Sequence, residues 1–140
     1  MRHNKFFSAA ITLCVIAFFT MGSGPAQSAP KPTPVTITAT YDFSTFPDVI
    51  GTFTTSGALT ISGDSTMHVD LNANGIRAHC VVTLIASDGT IIIHQECQFG
   101  SPTPEGRWEI VSGTGAYVNL KGNGSLLMPD DQEAMTGVIY

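Results

Sequence analysis

Residues 107–122 read Arg107-Trp108-Glu109-Ile110-Val111-Ser112-Gly113-Thr114-Gly115-Ala116-Tyr117-Val118-Asn119-Leu120-Lys121-Gly122, and the change of character half-way along decides the fold class. The first six residues alternate: Trp108, Ile110 and Ser112 fall on one face, Arg107, Glu109 and Val111 on the other. A period of two is that of a half-buried strand. Gly113, Gly115 and Gly122 then permit backbone angles that other residues adopt only at a cost, so the chain can turn sharply. Tyr117, an aromatic inside this tight connection, is placed to plug the end of a sheet. If Trp108 is core, Glu109 points to solvent.

The same alternation runs outward from this stretch. Strands are expected over Val35 to Phe43, Ile50 to Ile61 (with Gly57 as a bulge or kink), Ser65 to Leu71, Ile76 to Ala86, Thr90 to Phe99, Gly106 to Ser112, Asn123 to Met128 and Ala134 to Tyr140. Ser62-Gly63-Asp64, Asn74-Gly75 and Asp88-Gly89 read as turns. No segment carries helix caps around a 3.6-residue apolar stripe. The fold class is therefore all-β: a single eight-stranded antiparallel β-barrel, mostly meander, whose closure removes exposed edges. A two-sheet sandwich has the same strand count and is the main rival.

Composition narrows the class further. Arg2 and Lys5 precede an apolar run from Phe6 to Thr20, and Ala26-Gln27-Ser28 offers small residues where a signal peptidase reads. Residues 1–28 are thus expected to be a signal peptide, 29–34 a proline-rich tether, and 35–140 the barrel domain. The apolar run is too short for a convincing membrane span, and no other long one exists. Cleavage near Ser28 would give a secreted or periplasmic protein. Without Arg2 and Lys5, four basic residues face eleven acidic ones, a formal charge of −7. Nucleic acid and anionic membrane surfaces are poor partners for such a surface.

Two turns set a register. With Asn74-Gly75 as a two-residue loop, Val69 faces Cys80 and Met67 faces Val82. With Asp88-Gly89 as the next, Cys80 faces Cys97, which in an exported chain predicts a disulfide worth about 2–3 kcal/mol, two free buried thiols being the blander alternative. Both turns sort the side chains alike. Met67, Val69, Leu71, Cys80, Val82, Leu84, Ile91, Ile93 and Cys97 share the inner face, interrupted by Gln95. His68, Asp70, His79, Thr83, His94 and Glu96 share the outer one.

The histidines are the sharpest chemical hint. Asp70 is expected opposite His79, Thr83 opposite His94 and Val81 opposite Glu96. Histidine beside carboxylate can serve acid–base work or a metal, and His68, His79 and His94 are weak metal candidates. The plainer reading is a solvated outer face, since no tight ligand spacing such as H-E-x-x-H or C-x-x-C supports a metal. No motif calls for a cofactor. On the inner face, Gln95, Met67, Leu84, Ile93, Trp108 and Phe53 are the candidates to line a lumen. Gln95 needs a polar partner there, from the barrel or from a ligand.

The pattern G-T-G-x-Y-x-x-x-x-G after a Trp-bearing strand, carried by Gly113, Gly115, Tyr117 and Gly122, resembles the allene oxide cyclase and dirigent proteins and their bacterial barrel-like relatives. The resemblance covers Gly106 to Gly124. It implies a small antiparallel barrel with a cavity for a small apolar molecule, and it carries over no catalytic residue. The function expected is a non-catalytic exported barrel binding a lipid-like or phenolic molecule in its lumen. The alternatives are an isomerase of the resembled type and a packed structural or interaction barrel without a ligand.

Overall fold

The computed structural model describes residues 28–140; the expected signal peptide lies outside them save for its last residue. Eight strands form one closed antiparallel barrel in chain order: β1 Thr33–Asp42, β2 Asp48–Gly57, β3 Ser62–Leu71, β4 Arg77–Ala86, β5 Gly89–Gln98, β6 Glu105–Gly113, β7 Gly122–Leu127 and β8 Gln132–Ile139. Closure comes from β1, which pairs with β2 on one side (Ile37 opposite Thr55) and with β8 on the other (Ile37 opposite Met135). The barrel, not the sandwich, is the architecture. Among the described residues no helix is long and apolar enough to cross a membrane.

Sidedness follows the sequence pattern. Met67, Val69, Cys80, Val82, Leu84, Ile91, Ile93 and Cys97 point into the barrel and are buried, with Gln95 among them. His68, Asp70 and Glu96 are exposed on the outer wall. Leu71 departs from the pattern: it is 41% exposed at the barrel's end. Ser112 also departs, because the β5–β6 register shifts between Ile92 and Ile93 and turns Ser112 outward.

Two turns fall elsewhere than expected. Ser62-Gly63-Asp64 is not a turn but the start of β3; the chain reverses over residues 58–61. There the Thr55 hydroxyl donates to the Leu59 carbonyl at 2.8 Å and accepts from the Ile61 N–H at 2.9 Å, closing the loop. Between β4 and β5 the loop is Ser87-Asp88, and Gly89 is the first ladder residue, opposite Ala86. Gly89 is drawn into the ladder by the next connection: a Cβ on it would meet the Thr114 carbonyl oxygen at 2.2 Å. The Ala116 N–H also donates to the Asp88 carbonyl at 3.0 Å.

That displacement moves the β4–β5 register by two residues. The faces survive, but the partners change. Cys80 faces Gln95 and Cys97 faces Ala78, so the cysteines are diagonal neighbours and both thiols are free. Diagonal pairs sit about 7–8 Å apart, beyond ordinary disulfide geometry, so the expected Cys80–Cys97 disulfide is corrected. His79 now faces Glu96, Val81 faces His94 and Thr83 faces Ile92. The Asn74-Gly75 register holds as expected, with Val69 opposite Cys80 and Asp70 opposite His79.

Candidate functional site

The two ends of the barrel differ. At one end the connection from β6 to β7 folds inward as a plug. Tyr117 is buried within it, and its hydroxyl donates to Asp88 Oδ1 at 2.5 Å. That hydrogen bond, more than burial, pushes the phenol up to about 12. Gly115 adopts φ +59°, and a Cβ there would meet the Asp88 carbonyl oxygen at 2.1 Å. Gly113 and Gly122 are likewise crowded, against the Tyr117 and Val138 carbonyls. The four residues of the turn motif therefore build a stopper.

The other end is open. Four connections cluster there: residues 43–47, 72–76, 99–104 and 128–131. They surround an apolar cavity of about 320 Å³. Phe43 and Phe46 enter it from the first connection, Met67, Val69 and Leu71 from β3, Phe99 and Met128 from later connections, and Cys80 from β4. Phe46 is 50% exposed, a large apolar side chain left in water at the mouth. The volume lies at the low end of that of a small-molecule site.

A buried polar belt spans the barrel interior near this end. Gln95 on β5 reaches Glu133 on β8, Nε2 donating to Oε1 at 2.6 Å and lying 3.4 Å from Met135 Sδ. Cys97 Sγ stands 3.9 Å from Gln95 Oε1. Glu133 is wholly buried, and burial raises its carboxyl from an ordinary 4.5 to about 7, against the lowering pull of Gln95 and Tyr41. Glu133 Oε2, Tyr41 Oη and Ser65 Oγ are buried without a hydrogen-bond partner. Burial and the Glu133 charge raise the Tyr41 phenol. Hydrogen bonding to Cys80, then burial, raises the Cys97 thiol, so neither group is an activated nucleophile. This end thus offers an apolar receptacle and, beneath it, an acid able to change charge near neutral pH.

Of the expected lumen residues, Met67 lines the cavity. Phe53, Leu84, Ile93 and Trp108 are 0–2% exposed and fill the barrel. The Trp108 Nε1–H donates to the Ser125 carbonyl at 3.1 Å, with the Thr136 carbonyl at 3.3 Å. Gln95 is inside, as its face requires, and its partner comes from the barrel. The strand alternation gives no sign of that partner, Glu133. With β8 begun at Ala134, Glu133 reads as a loop residue; extending the strand by two residues puts it on the face of Met135.

The histidines lie on the outer wall. His68 Nδ1 is 2.6 Å from Asp48 Oδ1, His79 Nδ1 is 2.8 Å from Glu96 Oε1, and the rings of His79 and His94 meet edge to face at 5.1 Å. Among the described residues, no three His, Cys, Asp or Glu side chains group so as to hold a metal. No family model matches the chain, and no curated protein matches it.

Proposed function

We propose that the protein is an exported, non-catalytic barrel that binds a small apolar molecule, lipid-like or phenolic, in the open end of its lumen. The observation that carries this reading is the apolar cavity of about 320 Å³ among Phe43, Phe46, Met67, Leu71, Phe99 and Met128. Large apolar side chains gathered around a concavity are the lining of a ligand site, where apolar groups scattered singly on a surface are not. Export is supported by the basic and apolar segment at residues 2–20. The resemblance of the Gly113–Gly122 turn to allene oxide cyclase and dirigent proteins points the same way.

One observation favours a second reading, an isomerase. Glu133 is a buried acid poised near neutral pH, and it bonds Gln95, whose ladder partner Cys80 lines the cavity. In that case Glu133→Gln would abolish turnover and spare binding.

Native mass spectrometry of protein purified from its source tests the primary reading. A retained small apolar molecule is the expected result. Repeated ligand-free spectra, with no thermal shift from fatty alcohols or phenolics, would overturn it.

A further inference from the structure

Four polar side chains lie behind the apolar cavity, each next to a group that lines it. Tyr41 stands two residues from Phe43, their rings 6.2 Å apart, and Ser65 stands two residues from Met67. Gln95 faces Cys80 across the β4–β5 ladder. The β7–β8 count that pairs Leu126 with Met135 brings Met128 level with Glu133. Phe43, Met67, Cys80 and Met128 all line the cavity, so the polar groups form the layer beneath it.

That layer is left short of partners. Gln95 takes up one oxygen of Glu133. Glu133 Oε2, Tyr41 Oη and Ser65 Oγ bond nothing, although their residues are only 0–3% exposed. Besides burial, Glu133 and Ser65 both act on the Tyr41 phenol, so the three groups face one another. Gly51 is the ladder partner of both Tyr41 and Ser65 and puts no side chain between them; a Cβ there would meet Tyr41 Cδ1 at 2.9 Å. Orphaned polar atoms at this depth are rare and destabilising, and a ligand group that bonds them removes the penalty.

The donors and acceptors define what fits. Glu133 Oε2 accepts, and the Tyr41 and Ser65 hydroxyls donate or accept. An alcohol or phenol O–H answers both needs with one oxygen. An ether oxygen answers only the donors, and a carboxylate would set a second negative charge beside Glu133.

We infer that the ligand's hydroxyl enters first: an uncharged alcohol or phenol sets its O–H among Glu133 Oε2, Tyr41 Oη and Ser65 Oγ, with its apolar body in the cavity above. This rests on the proposed binding function and names the head group and its orientation. Met67, unbranched and readily repacked, is the side chain that yields as the hydroxyl passes.

Calorimetric titration at pH 8 with octanol, methyl octyl ether and octanoate tests the inference. The three share one apolar chain, and Glu133, titrating at about 7, is then charged. Octanol should bind about tenfold or more tighter than either competitor, as a hydrogen bond to a buried charge requires. Gln95→Leu/Glu133→Leu should close the gap between octanol and the ether. Tyr41→Phe, which removes a donor, should weaken those two together. A competitor as tight as octanol, a gap that survives loss of the Glu133 carboxyl, or affinities indifferent to both variants would overturn the hydroxyl-first orientation while the binding function stands. Failure of all three compounds to bind would overturn both.

Discussion

Gln95 and Glu133 meet inside the barrel from strands three apart, Nε2 and Oε1 separated by 2.6 Å. The pair ties β5 to β8 through a space otherwise filled by Ile93, Met135 and Trp108. A buried amide and a buried carboxyl would each be costly alone; together they satisfy part of each other's need.

The first consequence concerns pH. Glu133 titrates at about 7 in the folded chain and near 4.5 when unfolded. Its folded value is raised, so the native state holds its proton longer than the unfolded one. Stability from this group is complete below pH 4.5, declines as pH rises, and is lost above about 7, a change of about 3 kcal/mol. Glu133→Gln should match the parent at pH 4.5 and exceed it at pH 8 in urea melts. Parallel pH profiles for the two proteins would contradict this.

Removing one member of the pair should hurt more than removing both. Gln95→Leu leaves the carboxyl without its donor and should cost about 1–3 kcal/mol. Adding Glu133→Leu should recover most of that loss, because no buried polar group is then stranded. Additive losses in the double-mutant cycle would mean the two side chains are not coupled.

At the plugged end, the Tyr117 hydroxyl donates to Asp88. Tyr117→Phe should therefore cost about 1.5–3 kcal/mol, the range for a hydrogen bond to a charged group. The Asp88→Asn background should blunt that effect. An unchanged melting temperature for Tyr117→Phe would show the hydroxyl to be idle.

The thiols give a chemical check. Cys80 and Cys97 are free and buried. In denaturant without reductant, both should alkylate; in the native protein, both should react slowly because they are buried from the reagent, and at Cys97 hydrogen bonding and burial also disfavour the thiolate. Recovery of unmodified, disulfide-linked chain from non-reducing denaturant would reinstate the pairing that the register removes.

Much of the barrel is legible from alternation alone. The inner face of β3, β4 and β5 can be sorted residue by residue, since a two-residue error in register leaves every side chain on its own face. The same tolerance hides pairings. Asp88-Gly89 looks like a hairpin loop, yet Gly89 is needed in the ladder where the Thr114 carbonyl crowds it. That contact is long-range and leaves no local trace, so the disulfide inferred from the turn was lost with it. Glu133 stayed hidden for a related reason. Pro129-Asp130-Asp131 reads as a long polar loop, and a charged residue at its edge gives no sign of complete burial. The unmet need of Gln95 was the one clue. The open mouth depends on four connections converging, which no strand-by-strand reading supplies.

The most direct test of the binding site is a methyl NMR titration of Met67 and Met128 with decanol. Both side chains line the cavity, one from β3 and one from the last connection. Saturable shifts of both at a common affinity, with the Met135 methyl nearly still, are the expected result. Shifts absent from Met67 and Met128, or confined to the outer wall, would contradict a ligand at the open end.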